Sequence, residues 1–541
     1  MPSAIELLRE GRKKELWERC CGFIDLSLEE FIAFQRRLLL EQIELLKNCE
    51  LGQKVMRGVI PRSVEEFREK VPLTNYADYT PYLPEKREDA LPLPPINWQR
   101  TSGRSSQHSF KWIPVTKRLA DEMAPTFLAP LIFATCKDRG DIALVENEKF
   151  LYLLAPPPYA SGSWVRWGAQ EFPFIYLPPL EEAEAMPFRQ RVEKGFELAF
   201  KEGVSIIFGI SSILVAVGQQ FSQGSNRKDI NILSLLSQPS LCFRLGKALL
   251  KSKLDHRQML PRDVWSVKGL IMGGTDASVY REKIKEMWGR YPLEIYGCTE
   301  SLFVAMQTWD YEGMTFVPYM SFLEFVPESE YTKSKDDPSY QPRTVLLDEV
   351  KAGENYEVVL TNFHGGALVR YRIGDIIRIT ALRNEKLNID IPQMVFFGRT
   401  DDIIDFSAFT HAFFTEKIIW QAIENSGLQY VDWVARKEAE DTPTLHLYIE
   451  PRSSYVKNKV ATLIREQLRQ LNKEYVELED VFGLKPLRIT LLPSGAFKAY
   501  MTKQEAAGAD LAHLKPPHIN PSDNMMATLL GEHRTVVTSQ V

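Results

Sequence analysis

In Ile295-Tyr-Gly-Cys-Thr-Glu-Ser301 a phenol ring, a hydroxyl and a carboxylate follow one another in close order. That order suits a nucleotide: Tyr296 can stack on adenine, Thr299 can reach an α-phosphate, and Glu300 can hold Mg2+ beside it. A glutamate that merely ends a strand is the competing reading, and it requires four coincidences.

Three other segments carry usable groups. Thr101-Ser-Gly-Arg-Ser-Ser-Gln-His-Ser-Phe-Lys111 is rich in hydroxyls around a glycine, with cations close by. Backbone N–H groups and hydroxyls in such a turn can converge on phosphate oxygens while a lysine or arginine neutralises charge. Taken alone, the segment reads more simply as a solvated turn. Gly273-Gly-Thr-Asp276 follows an apolar run, and paired glycines let backbone approach a flat ring. In isolation a strand-to-helix turn with Asp276 as N-cap is the better reading. In Val369-Arg-Tyr-Arg-Ile-Gly-Asp-Ile-Ile377, Asp375 is suited to accept hydrogen bonds from both ribose hydroxyls. A buried Arg–Asp pair stabilising a turn fits that segment equally well.

Elements must position these groups. The chain has 541 residues, 44% hydrophobic and 25% charged, a folded composition too long for one core, since cores stop growing near roughly 250–300 residues. Residues 1 to 50 read as amphipathic helix, and Val71 to Tyr82 and Leu91 to Pro95 as extended surface chain. From 120 to 400, apolar runs such as Leu131–Ala134, Val204–Ile210, Val267–Met272 and Leu293–Tyr296 alternate with helical segments, which predicts an α/β fold with site residues on the loops after buried strands. Beyond Asp401 the pattern changes to α+β: helix at 415–425 and 456–472, strand at 430–436, 444–450 and 487–492. Gly398-Arg-Thr-Asp-Asp402 is the expected hinge, and the proline-rich tail beyond Lys515 is expected to pack loosely.

Several function classes are excluded or disfavoured. Lysine and arginine total 66 against 71 acids, so no global field attracts nucleic acid or an anionic membrane. The N-terminal sequence lacks a signal-peptide core and no apolar run approaches the roughly 20 residues that cross a bilayer. A soluble cytoplasmic protein is expected. Six cysteines without a CxxC pair argue against disulfides and zinc; Cys298 is expected to fill space rather than act as a nucleophile. His108, His256, His364 and His446 show no ligand spacing.

The ordered set of a Ser/Thr/Gly loop, YGxTE at Tyr296–Glu300, YRxGD at Tyr371–Asp375 and GRxDD at Gly398–Asp402 resembles the superfamily of acyl-CoA synthetases, luciferases and nonribosomal-peptide adenylation domains. Within it, LVRYRIGDIIRI, GRTDDIIDF, TEKIIWQAIE and ADLAHLKPPHINP are similar to the auxin-responsive promoter family of acyl acid amido synthetases, and the likeness covers nearly the whole chain. It implies a large N-terminal adenylate-forming α/β domain of mixed sheets and helices over residues 1–400 and a small mobile α+β domain over 401–541. Thr101, Ser102, Gly103 and Ser105 would form the phosphate loop. Tyr296 would stack on adenine with Gly274 and Thr275 beside it, Thr299 would lie near the α-phosphate, and Glu300 would bind Mg2+. Asp375 would hold the ribose and Arg399 would reach the nucleotide from the hinge. Lys515 resembles the family's C-terminal catalytic lysine, and Lys498 competes for that role; either would stabilise two joining anions.

Three positions depart from the family pattern. Arg104 stands where a small hydroxyl residue is usual, Gln107 near a second glycine, and His411 where relatives tend to carry arginine. The implied reaction is ATP- and Mg2+-dependent activation of a small carboxylic acid as its acyl-AMP. Transfer to an amine follows, of an amino acid or another acceptor, giving an amide, AMP and pyrophosphate. A coenzyme A ligase sharing the first step is the runner-up, and a non-catalytic homologue, supported by Arg104 and Gln107 alone, is the third reading. Neither nucleic acid nor membrane is an expected partner. Order along the chain points to Tyr159–Gly162 and Ile206–Val217 for the acyl group, with ordinary core at least as good an account.

Overall fold

The computed structural model describes residues 2–101, 110–223, 239–274, 277–337, 339–400, 403–405, 413–439, 443–480, 486–506 and 516–531. The chain forms two compact units, one reaching Phe396 and the other starting at Phe397.

In the first unit, an antiparallel pair, β1 (Pro95–Arg100) and β2 (Trp112–Thr116), brackets the hydroxyl-rich loop. The main sheet takes β3 (Lys149–Tyr152), β4 (Ile175–Leu177), β5 (Ile206–Gly209), β6 (Gly269–Gly273), β7 (Leu293–Cys298), β8 (Leu302–Gln307), β9 (Met314–Phe316), β10 (Ser321–Pro327), β11 (Asn355–Asn362), β12 (Tyr371–Ala381) and β13 (Gln393–Arg399). Its order is β10-β11-β12-β13-β9-β8-β7-β6-β5-β3-β4. From β4 to β7 neighbours run parallel; β8 then pairs antiparallel with β7. The parallel strands are apolar on both faces, as IIFG in β5 shows, because helices cover a parallel sheet on both sides. The fold is therefore α/β with a mixed sheet.

The N-terminal stretch forms three helices, Ala4–Arg9, Lys13–Cys21 and Leu28–Leu46, rather than one. Capping boxes at Ser3/Glu6 and Ser27/Glu30 start the first and third, satisfying otherwise orphaned N–H groups. The 71–82 segment is not surface chain. Tyr79 is fully buried because its hydroxyl is satisfied inside, donating to the Val369 carbonyl (3.1 Å) and accepting from the Val369 N–H (2.9 Å).

Two arginines set the β10–β12 region. Arg370 forks onto Glu324 of β10 at 3.0 and 2.8 Å and donates to the carbonyls of Arg68 (2.7 Å) and Val71 (2.5 Å). Arg372 forks onto Glu357 of β11 at 3.0 and 2.6 Å. Arg370, just before the YRxGD motif, and Arg372 within it thus pair with glutamates on β10 and β11.

The second unit contains the antiparallel pair β14 (Ile403–Asp405) and β15 (Phe413–Thr415), and a three-stranded sheet of β16 (Tyr430–Ala439), β17 (Pro443–Pro451) and β18 (Leu487–Leu491). Helices Glu416–Asn425 and Lys457–Leu471 pack together, the latter burying Val460, Ile464 and Leu468 at helical spacing. The described tail is not loose. Ile519 bridges Ala435 of β16, and helix Asp523–Leu529 buries Met525, Met526 and Leu529 against Val434, Tyr448 and Phe497. The tail is proline-rich, but its apolar residues still find a core.

Arg370→Met leaves buried Glu324 with the more distant Arg68, at 4.0 Å, as its ion-pair partner and should destabilise the first unit by about 3 kcal/mol, read as a lowered urea midpoint; an unchanged midpoint would refute the importance of this pair.

Candidate active site

β6 ends at Gly273, opposite Ile295 of β7. Gly274, just past it, has φ +114°, a conformation that L side chains rarely adopt, so the turn after β6 needs glycine there. β7 runs on to Cys298 and turns directly into β8, pairing Cys298 with Leu302 across a three-residue loop of Thr299, Glu300 and Ser301. Leu302 closes that loop at φ +59°, the left-handed position that such loops require. A Cβ on Gly297 would stand 2.8 Å from the Leu302 carbonyl and 2.9 Å from the Trp164 ring, so the close approach of the two strands and the helix Ala160–Glu171 depends on a glycine. Asn362 donates to the Glu300 carbonyl (2.7 Å) and Ser301 to Ser321 Oγ (2.8 Å), tying the loop to β11 and β10.

Lys111, the residue after the hydroxyl-rich loop, meets this hairpin. Its Nζ lies 3.6 Å from Glu300 Oε1, donates to the Tyr371 hydroxyl at 2.8 Å, and sits 5.5 Å from the ring centres of Tyr76 and Tyr371. Thr101 and Lys111 close the base of their loop: the Thr101 N–H donates to the Lys111 carbonyl (2.9 Å) and the Lys111 N–H to Thr101 Oγ1 (2.9 Å). Sequence reasoning counted Lys111 only as a nearby cation. The signal that could have singled it out is its place at the exit of the loop, directly before a strand.

On the other side of Cys298, the Tyr296 hydroxyl donates to Asp375 Oδ2 at 2.8 Å. A bulge aims Asp375. Between the pairs Arg372/Val359 and Ile376/Glu357, β12 carries Ile373, Gly374 and Asp375 opposite the single residue Val358. Asp375 is 2% exposed and Tyr296 6%, with the tyrosine ring 5.7 Å from that of Phe396. Two motifs far apart in sequence are therefore joined by one hydrogen bond. Cys298 lies among these groups, and burial, with the Glu300 and Asp375 carboxylates, pushes its thiol well above the ordinary value.

Arg399 ends β13, and Lys498 is exposed on the first turn of helix Ala496–Ala506, whose leading N–H groups at Gly495 and Phe497 donate to Glu450 (2.6 and 2.9 Å). Ser102, Gly103, Arg104, Ser105, Gln107, Thr275, Asp276, His411 and Lys515 lie outside the described residues. Of the segments suggested for the acyl group, Tyr159 bridges Arg100 just before the hydroxyl-rich segment, and β5 with Leu214 and Val215 is core. Among the described residues no cluster of three or more histidines, cysteines or acids could hold a metal, and no helix is long and apolar enough to cross a membrane.

The same architecture recurs in solved structures. An acyl acid amido synthetase, AtGH3.15 in complex with 2,4-DB, matches with a TM-score of 0.64 at 17% identity, covering 94% of each chain. The 2-hydroxyisobutyryl-CoA ligase in its postadenylation state matches at 0.58 and 13% identity, over 89% of this chain and 94% of that one. The fold is that of adenylate-forming enzymes. The N-terminal, central and C-terminal domains of the GH3 family match residues 20–155, 314–399 and 415–524 in that order, and the chain belongs to the GH3 family. Curated relatives include the jasmonoyl–L-amino acid synthetase GH3.5 of Oryza sativa subsp. japonica, 25% identical over 290 residues, covering 50% of this chain and 48% of the relative. The indole-3-acetic acid-amido synthetase GH3.15 of Arabidopsis thaliana is 27% identical over 217 residues, covering 38% and 35%. The chain spans about half or less of the length of the curated relatives it matches.

Cys298 is only half-buried, but desolvation and two nearby carboxylates disfavour its thiolate, so it should react with iodoacetamide at pH 8 much more slowly in the folded protein than once urea unfolds it. Rapid native labelling, read by mass spectrometry, would contradict the burial argument and reopen a nucleophilic role.

Proposed function

We propose that this protein is an ATP-dependent ligase that activates a small carboxylic acid as its acyl-AMP and passes the acyl group to an amine, that of an amino acid, giving an amide. The observation that carries this is the convergence of Tyr296, Glu300, Asp375 and Lys111, drawn from three distant segments, around one strand end. Membership of the GH3 family supports the amide-forming outcome.

In the first step a carboxylate oxygen of the acid attacks the α-phosphorus and the bond to the bridging oxygen breaks, so pyrophosphate leaves with its electron pair. The amine then attacks the activated carbonyl, the carbon–oxygen bond to AMP breaks, and the amine's proton passes to solvent. Tyr296 with Gly274 and Thr275 would hold the adenine, Asp375 the ribose, and Thr101, Ser102, Gly103, Ser105 and Thr299 the phosphates, while Arg399 would reach the nucleotide from the hinge. Glu300 and Thr299 present hard oxygen donors of the kind that bind Mg2+ together with phosphate oxygens, and the ammonium of Lys111 now lies beside Glu300. When bound, Mg2+ would offset phosphate charge. Lys111 would turn from Glu300 toward the incoming phosphates, which compete for the same charge. Lys515, or Lys498 in its place, would arrive from the small domain (401–541) for adenylation and withdraw for transfer. A cytoplasmic supply of ATP fits this chemistry. The acids named for the relatives, jasmonic, indole-3-acetic and 4-substituted benzoic, differ widely, so the acid is a matter for direct assay.

ATP–pyrophosphate exchange across aryl and aliphatic acids should be acid-dependent and fall about 100-fold or more in Glu300→Ala and Lys111→Met. Lys515→Ala should lower it more than Lys498→Ala. AMP release with amino acids supports amide formation, release with coenzyme A alone supports the ligase alternative, and ATP binding without exchange for any acid supports a non-catalytic homologue.

A further inference from the structure

His518 lies in the small unit, outside every group assigned above, and it is nearly inaccessible at 2% exposure. Its Nδ1 is 2.6 Å from Glu416 Oε1 and its Nε2 is 2.8 Å from Asp432 Oδ1. Two carboxylates can be satisfied by one imidazole only when both ring nitrogens carry protons. The ring stacks on the face of Trp433 at 4.4 Å and 13°, which favours a cation, and lies perpendicular to Trp420 at 4.7 Å and 84°. Burial pulls the pKa of this imidazole down, but the charges and hydrogen bonds of Asp432 and Glu416 outweigh it and hold it above the ordinary value. His446 gives the contrast: with one carboxylate, Glu438, and one hydroxyl, Thr490, burial wins and the pKa falls.

The backbone at His518 is held as firmly as the ring. The Ala435 N–H donates to the His518 carbonyl at 2.6 Å and the Asn520 N–H to the Ala435 carbonyl at 2.8 Å, laying this segment along the free edge of β16. Glu416 belongs to helix Glu416–Asn425 and Asp432 to β16, so one imidazolium joins a helix, a sheet and the chain that follows Lys515. Pro516, directly after that lysine, is also buried. His518 stands three residues after Lys515 in the sequence, and three residues span at most about 10 Å.

We propose that His518 is a positioning residue: seated between Glu416 and Asp432, it anchors the chain immediately downstream of Lys515 and so determines where that lysine can act during acid activation. This rests on the functional reading above for its last step, and the test separates the two.

Amide hydrogen exchange of the wild type at neutral pH should show Asn520 protected, and His518→Gln and Glu416→Gln should each lose that protection by about 10-fold or more while β17 stays protected. Equal protection in all three proteins would overturn the anchor whatever the activity. Where the anchor is lost, ATP–pyrophosphate exchange should fall about 10- to 100-fold, whereas aminolysis of supplied acyl-AMP should stay within about twofold of wild type, since misplacing an adenylation lysine leaves transfer intact. The loss in His518→Gln should add little to that of Lys515→Ala. Both half-reactions falling together, or full additivity with Lys515→Ala, would reduce His518 to a structural role and overturn the proposal. A wild type without exchange on any acid would sink the functional reading and the positioning step with it, while the amide exchange would still decide the anchor.

Discussion

A buried positive charge organises the first unit. Arg370 satisfies Glu324 of β10 and two carbonyls of the N-terminal segment while its own residue leads into β12. Neither partner can be left alone in that interior, because an uncompensated buried charge costs several kcal/mol. Three stretches distant in sequence, near residues 70, 324 and 370, are consequently held in one place. The strand that starts beside this pair bulges within five residues to present Asp375, so the position of the carboxylate facing Tyr296 is inherited from an ion pair that touches no part of the site.

The site is correspondingly built on rigid backbone. Glu300 sits in a three-residue loop between paired strands, and Asn362 and Ser321 fix that loop from two further strands. Lys111 counterbalances the carboxylate, its ammonium 5.5 Å from the ring centres of two tyrosines. A charge cluster of this kind, neutral as a group and half sheltered from water, responds strongly to the arrival of a polyanion, because a low effective dielectric amplifies each added charge.

Much of this was legible in the sequence. The apolar runs at Val267–Met272 and Leu293–Tyr296 became parallel strands, and the pattern change after Asp401 marked an α+β region, because burial on both sheet faces and helical spacing leave period signals in single sequences. The glycine at 274 and the YGxTE order could be read because backbone conformation and close approach restrict residue choice. What could not be read was pairing at a distance. That Arg370 and Arg372 answer Glu324 and Glu357, that Tyr79 is buried with its hydroxyl satisfied, and that His518 finds two carboxylates all depend on contacts made by residues tens to hundreds apart. The turn-like and proline-rich text around Tyr79 and His518 misled for the same reason: local composition marks where regular structure stops, and the apolar or polar partner that buries such a segment lies elsewhere.

At Ala435 the edge of β16 is met by residues 518–520, more than seventy positions downstream of where that strand ends. During vectorial synthesis the three-stranded sheet can assemble once β18 has emerged, yet one of its borders then offers unpaired N–H and carbonyl groups until the later segment arrives. An open border of that kind is a template for a strand from any other chain. The small unit therefore passes through an interval in which its own sheet is complete but adhesive, and a ribosome that stalls between those two points would release a species prone to aggregate rather than one merely short of a few residues.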